Sequence, residues 1–382
     1  MQGKSLRLFV FIDAFGWELL KRYPFLDDLL VVKAPLQTVF GYSSTCDPTI
    51  LTGLSPQQHG HFSFFYYNPD ASPFGVCRWL SLLPTSVTRR GRVRRLMSRA
   101  IRRYYGYTGY FQIYNMPFRY LPLFDYSEKR DLYQPHGINS GATTIFDDLR
   151  NNEIPFYLSD WRRPESENLA SLQTALAEGA VSFAYLYLAA MDADLHAHGT
   201  DSPLIANKIA WYDGQLRQIL ALAEKQYRDV QLFLFSDHGM TDVTTGCDVI
   251  ERIFALDLTF GKDYVAVFDS TMLRFWFLRD GARERITATL LKEPNGEILS
   301  DERLASFGCL FPNRKYGELF FLAHPGVLIC PSFMGETLLA GMHGYDPTHK
   351  DSVAMFASTV VPDPLPAGLS DLYHLMRTET VR

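Results

Sequence analysis

The chain has 382 residues, of which 47% are hydrophobic and 21% charged. This is globular composition, with length enough for a large core and two units. A net charge of −5 gives no general reason to expect a nucleic-acid partner. The five cysteines (Cys46, Cys77, Cys247, Cys309 and Cys330) are scattered with no CxxC pair. That argues against a disulfide framework or a cysteine zinc site and fits a reducing compartment.

At the N-terminus, Lys4 and Arg7 precede an apolar run ending at Ile12. The run is too short for a signal peptide and Asp13 cuts it, so it reads as a buried first strand. Residues 14–21 read as a helix start. A short helix begins within 43–48 and continues over 49–54. A helix over 143–150 precedes a strand over 154–158, and the apolar run 183–191 is a further strand. Residues 202–226 form a long amphipathic helix, 230–236 a strand and 353–359 the last strand. No stretch reaches the roughly 18 apolar residues of a membrane span. A soluble, cytoplasmic protein is the default.

This alternation predicts an α/β fold with a mainly parallel sheet. Two stretches interrupt it. Residues 62–140 are aromatic-rich and strongly basic, and 255–330 hold strand-like pieces at 264–268, 272–277 and 319–323. Both read as insertions at the ligand-binding edge of the sheet, where functional loops belong. The expected organisation is a core of 1–61, 141–254 and 331–382, a cap of 62–140, and a small α+β insertion of 255–330.

Three carboxylates, Asp13, Asp192 and Asp237, each sit where a strand-like run ends, with His238 directly after Asp237. In open α/β sheets, ligands bind beyond the carboxyl ends of the strands, so the three converge on one cleft. His196 follows Asp192 by four residues, and His343 lies in a Gly-Met-His-Gly-Tyr turn. Three aspartates and three histidines together call for a cation. Their oxygen and nitrogen donors suit zinc, and also manganese or iron. Two such ions about 4 Å apart form a clamp for in-line displacement at phosphorus.

Taken together, Asp13 after the first strand, Asp192-x-x-x-His196-x-x-Gly199, Ser236-Asp237-His238-Gly239-Met240 and Gly341-x-His343-Gly344-Tyr345 resemble the alkaline-phosphatase superfamily. The stretch Pro48 to Gly60 is similar to the segment that follows the nucleophile in its type I phosphodiesterase/nucleotide pyrophosphatase branch. The resemblance spans residues 5–62 and about 140–350. It implies a doubly wound, mainly parallel sheet with helices on both faces, and a two-metal phosphoester hydrolase, expected to be a phosphodiesterase that forms a covalent phospho-enzyme. It implies one metal held by Asp13, Asp237, His238 and the nucleophile, and a second held by Asp192, His196 and His343. In that branch the nucleophile lies nine residues before the threonine of a Thr-Gly pair. Counting back from Thr52 gives Ser43, with Ser44 second, Thr45 third and Cys46 low. The branch's Thr-Phe-Pro-Asn motif is absent here, so nucleotide specificity is not carried over. A phosphomonoesterase or phosphoryl transferase would use the same residues, and a non-catalytic member would be expected to have lost ligands. The sulfatase signature fails, because Ile50 stands where it needs arginine.

His59 and His61 read as structural hydrogen-bonding residues, and Asp194 as a carboxylate that could orient His196. The remaining feature is the arginine run Arg89, Arg90, Arg92, Arg94, Arg95, Arg99, Arg102 and Arg103, interleaved with apolar residues at helical spacing. It reads as a solvated cap helix, as an interfacial helix for an anionic membrane, or as a lining for a polyanionic substrate. The expected partners are a phosphoester small molecule or lipid-linked phosphate and, under the second reading, a membrane surface met by residues 89–104, which would make the protein peripheral at the membrane.

Overall fold

The computed structural model describes residues 4–80, 88 and 90–381. Its central sheet has six strands in the order Val32–Leu36, Ala354–Ser358, Asp229–Phe235, Ser5–Ile12, Phe183–Leu188 and Phe156–Leu158. Ser5–Ile12 is parallel to both its neighbours, and Phe156–Leu158 is parallel to Phe183–Leu188. Ala354–Ser358 runs against the strands on either side of it. Among the described residues, no helix is long and apolar enough to cross a membrane.

The pleat of the first strand sorts its side chains into two layers. Leu6, Leu8, Val10 and Ile12 pack with Leu172, Ile209 and Leu216 of the helices Glu165–Ala177 and Pro203–Ala223. Phe9 and Phe11 face the other way, with Ile50, Phe146 and Leu372 of the helices Ser43–Thr52, Ile145–Asn151 and Leu369–Thr380. On that second face the rings of Phe183, Phe9 and Phe233 stack across three adjacent strands, with centroids 5.2 and 4.6 Å apart. Helices therefore cover both faces, as the doubly wound reading expects.

Register sets the site. Phe11 pairs with Phe235 in the parallel ladder. Asp13 and Asp237 each lie two residues further on and so emerge side by side at the carboxyl edge. The loops behind them pack glycine against glycine: a Cβ on Gly16 would strike the Cα of Gly239. Residue 14 turns at once (Ala14 φ 60), and the helix starts only at Trp17, later than the sequence pattern indicates. A second correction concerns Asp192. The apolar run stops being strand at Leu188, and Asp192 lies in the first turn of the helix Ala190–His198. The i,i+4 spacing of Asp192 and His196 is therefore a helix-face pairing rather than two positions on a loop.

Residues 264–323 carry a second sheet. Tyr264–Phe268, Met272–Phe277, Leu319–Ala323 and Gly296–Leu299 form it in that order, with every pair antiparallel. Phe65–Tyr67 and Phe124–Tyr126 form a separate antiparallel pair. Phe65, Phe74 and Phe124 share one hydrophobic cluster with Val265, Phe275 and Phe321, so segments about 200 residues apart in sequence pack together. The junction includes a fully buried ion pair. Arg274 reaches Asp269 at 3.0 Å and donates to Ser63 Oγ at 2.7 Å and to the carbonyls of Phe65 and Tyr316.

The arginine run forms the helix Gly91–Tyr105, and Arg89 lies outside the described residues. Arg94 does not belong to its basic face. It is buried and donates to the carbonyls of Tyr114 (2.6 Å) and Met116 (2.8 Å).

Candidate active site

A cavity of about 490 Å³ opens at the carboxyl edge of the main sheet, between core and insertions. Asp13, Ser43, Asp192, His196 and His343 line it. Of the ligand-type residues singled out in the sequence, Asp13, Asp192 and His238 have donor atoms all within 4.8 Å of one another, and so do Asp192, His196 and His343. Asp192 belongs to both groups, which makes one continuous cluster. Asp237 joins it through His238, whose Nε2 is 3.1 Å from Asp237 Oδ2 and 3.8 Å from Asp13 Oδ1.

The histidines are held by their far nitrogens. Nδ1 of His238 is 2.9 Å from the Gly239 carbonyl, and Nδ1 of His196 is 2.8 Å from the Gly341 carbonyl. A carbonyl only accepts, so each Nδ1 carries a proton, and a cation taking the place of a second proton would meet the lone pair of Nε2 turned into the cluster. The partner of His196 is therefore Gly341 and not Asp194. The ring of His343 stacks on His238 at 3.7 Å between centroids. Asp237 Oδ1 accepts from the backbone N–H groups of Ala14 (3.1 Å) and His238 (3.0 Å), and Asp13 Oδ2 accepts from Tyr187 at 2.6 Å.

The opposite oxygens have no such partners. Asp13 Oδ1, Asp192 Oδ1 and Asp237 Oδ2 are buried without a hydrogen-bond donor. Leaving even one buried charged acceptor unmet costs about 1–3 kcal/mol or more. Three together, facing inward beside imidazole lone pairs, fit divalent cations, since metal ligation is the interaction that satisfies oxygens and aromatic nitrogens at once. The electrostatics agree. Burial, then the charges of Asp237 and Asp192, push the Asp13 carboxyl well above its usual range. Burial alone would lower His238, but the adjoining Asp237 carboxylate lifts it to about 9. His343 is pushed well down by burial and by the neighbouring His238 and His196. The cluster attracts positive charge that the protein supplies only through its own protons.

Ser43 begins the helix Ser43–Thr52, which ends at the left-handed Gly53 (φ 71). The Oγ of Ser43 lies 3.2 Å from His238 Nε2. The next two hydroxyls are engaged elsewhere: Ser44 and Thr45 both donate to the Phe62 carbonyl, at 3.0 and 2.6 Å. Cys46 is buried with its thiol pushed well up by burial. His59 and His61 are buried apart from the cluster. His59 Nε2 is 3.0 Å from Thr49 Oγ1, and His61 Nε2 accepts from the Asn139 N–H at 2.9 Å.

Comparison with known proteins adds to this geometry. A family profile described as type I phosphodiesterase/nucleotide pyrophosphatase matches residues 8–346. The chain belongs to that family. As a type I phosphodiesterase/nucleotide pyrophosphatase family member, it is a hydrolase acting on phosphate esters. A search of curated proteins gives no match. Among solved structures, the murine ectonucleotide pyrophosphatase/phosphodiesterase 5, as an inactive threonine-to-alanine variant in complex with AMP, is 17% identical with a TM-score of 0.69, covering 98% of this chain and 94% of that one. The human counterpart is 16% identical with the same TM-score and the same coverage of both chains. At this identity the likeness shows the fold.

Sequence reasoning passed over several residues of the family member's cavity. Asp47 and Glu128 line it, and burial pushes both carboxyls well above their usual range, with Asp237 adding to Asp47 and Asp47 to Glu128. Asp47 stands one helical turn after Ser43, so its i,i+4 spacing was a readable signal. Glu128, Tyr110, Tyr114 and Trp161 come from the cap side and from 161, and no spacing links them to the motifs.

Proposed function

We propose that this protein is a two-metal phosphodiesterase in which Ser43 is the nucleophile. The observation that carries the reading is the set of three buried, unpartnered carboxylate oxygens around His238, whose Nε2 Ser43 Oγ faces at 3.2 Å. Asp13, Asp237, His238 and Ser43 would hold one divalent ion, and Asp192, His196 and His343 the other, with Asp192 close to both. Zinc is proposed first, on the mixed oxygen and nitrogen donors, ahead of manganese or iron. The ions would neutralise charge on the phosphoryl group and favour the ionised serine.

The chain's own residues do the rest. At the start of the helix the Thr45 and Cys46 N–H groups donate to the Tyr42 carbonyl at 2.7 and 3.1 Å, which leaves those of Ser43 and Ser44 to suit a phosphate oxygen. The bonds of Ser44 and Thr45 to Phe62 hold that turn in place, leaving Ser43 as the hydroxyl free to react. Its Oγ would bond to phosphorus as the bond to the departing alcohol breaks. The serine proton ends on the alcohol, and water then hydrolyses the phosphoserine. Tyr110, Tyr114 and Trp161 offer aromatic surface to a bulky organic group on the ester. The similar murine structure holds AMP, which makes nucleotide esters the first candidates to assay.

The partner that this reading gives the protein is the phosphoester. All five cysteines are unpaired, which supports a reducing, cytoplasmic setting. The test is a panel of aryl phosphodiesters, monoesters and sulfates assayed with zinc or manganese added. Diester turnover should lead, and Ser43→Ala should remove nearly all of it while Ser44→Ala keeps most. Monoester turnover ahead of diester would make the protein a phosphatase. A dead Ser44→Ala beside an active Ser43→Ala would move the nucleophile by one residue.

A further inference from the structure

The cap carries a charge imbalance that the rest of the chain reverses. Residues 71–124 contain ten arginines and no aspartate or glutamate, in a chain of net charge −5, so the remainder carries −15. The helix Gly91–Tyr105 concentrates this charge on one face. Its inner stripe is fixed to the cap: besides the two carbonyl bonds of Arg94, Ser98 Oγ accepts from the Ile113 N–H at 3.2 Å, and Ile101 packs in the hydrophobic cluster. On the outside, Arg92, Arg95, Arg99, Arg102 and Arg103 are exposed, and none makes an ion pair among the described residues. Arg92 and Arg95, Arg95 and Arg99, and Arg99 and Arg103 stand three or four residues apart, a spacing at which like charges destabilise a helix. A binding partner that neutralises them would remove that cost.

Exposed apolar side chains accompany the arginines. Leu96 is 68% exposed on the helix itself, Tyr104 is 82% exposed near its end, and Trp79 of the short preceding helix Cys77–Leu80 is 71% exposed. The phosphates of duplex nucleic acid call for the cations and leave Leu96 and Trp79 without a partner. A bilayer interface takes both, holding arginine at anionic headgroups and amphipathic aromatic rings at headgroup depth. We propose that this face of the cap docks the protein on an anionic lipid bilayer. The acidic remainder of the molecule is repelled by the same surface, so the charge imbalance also orients the approach. The proposal is independent of the reaction assigned to the cavity.

Sedimentation of the full chain with lipid vesicles tests it. Vesicles of phosphatidylcholine with phosphatidylserine added should bind the protein, pure phosphatidylcholine vesicles should bind it poorly, and high salt should release it. Replacing Arg92, Arg95, Arg99 and Arg102 with Gln should weaken binding to the mixed vesicles by about a hundredfold or more. Trp79→Ala with Leu96→Ser should also weaken binding while its salt dependence persists. Circular dichroism and unchanged turnover of a soluble aryl phosphodiester certify that the variants are folded. Equal binding to both vesicle types, full binding by the arginine variant, or binding to duplex DNA with none to vesicles would each overturn the proposal.

Discussion

The core and the residues around Asp269 both bring carboxylates to the cavity wall, and the fold treats them in opposite ways. Asp269, in the insertion, meets Arg274 at 3.0 Å, and that guanidinium is itself bonded to Ser63, Phe65 and Tyr316. Asp13, Asp192 and Asp237, in the core, each keep an oxygen with no donor. Desolvating a charge costs several kcal/mol unless something repays it. In the insertion the repayment is built into the chain, and the result is structural. In the core it is left to a ligand, and the result is a site. A buried carboxylate thus indicates function less by its burial than by what is missing around it.

The comparison can be broken most severely at the core. Asp237→Asn and His343→Ala should each lower phosphoester turnover about a thousandfold or more, because each removes a proposed ligand of a different ion. The bound metal measured by elemental analysis should fall in both variants, and their melting temperatures with chelator present should stay close to that of the parent chain. Retained turnover in either variant would show that its residue is not a ligand.

The reverse pattern is expected in the insertion. Arg274→Met should cost about 3–5 kcal/mol in urea unfolding, since it strands Asp269 in the interior. Adding Asp269→Asn should recover a large part of that loss. A single variant that unfolds like the parent would mean that the pair is not what joins the two insertions.

A smaller effect sharpens the contrast by showing a buried group that the fold keeps neutral. Burial, with Lys315 nearby, pushes His61 down to about 3. The unfolded chain therefore takes up its proton first as pH falls below about 6.5, so stability is intact above that pH and declines toward 3. At 1.36 kcal/mol per unit, the loss reaches about 2 kcal/mol by pH 5. In His61→Gln the slope of stability against pH between 6.5 and 5 should flatten by that amount. An unchanged slope would assign the acid sensitivity to other groups, His59 first.

The strand ends, the Asp-His spacings and the nine residues between Ser43 and Thr52 all lie within a short stretch of chain, and each follows from local chemistry. An apolar run ends in a charge, a helix follows a turn, and ligand types recur at i and i+1 or i and i+4. On these grounds the sequence by itself determined the α/β class, the three strands at 264–268, 272–277 and 319–323, and which residues were candidates for the site. Tertiary structure decided what spacing does not encode. Parallel register set Asp13 beside Asp237, and helix geometry rather than a strand end aimed Asp192 and His196. The Phe62 carbonyl engaged Ser44 and Thr45 and left Ser43 facing His238. Arg94 looked like its neighbours until its carbonyl partners, 20 and 22 residues away, withdrew it from the basic face. The physical reason is the same in each case: which hydrogen bonds a group makes, and which it lacks, depends on chain segments that meet only in the folded molecule.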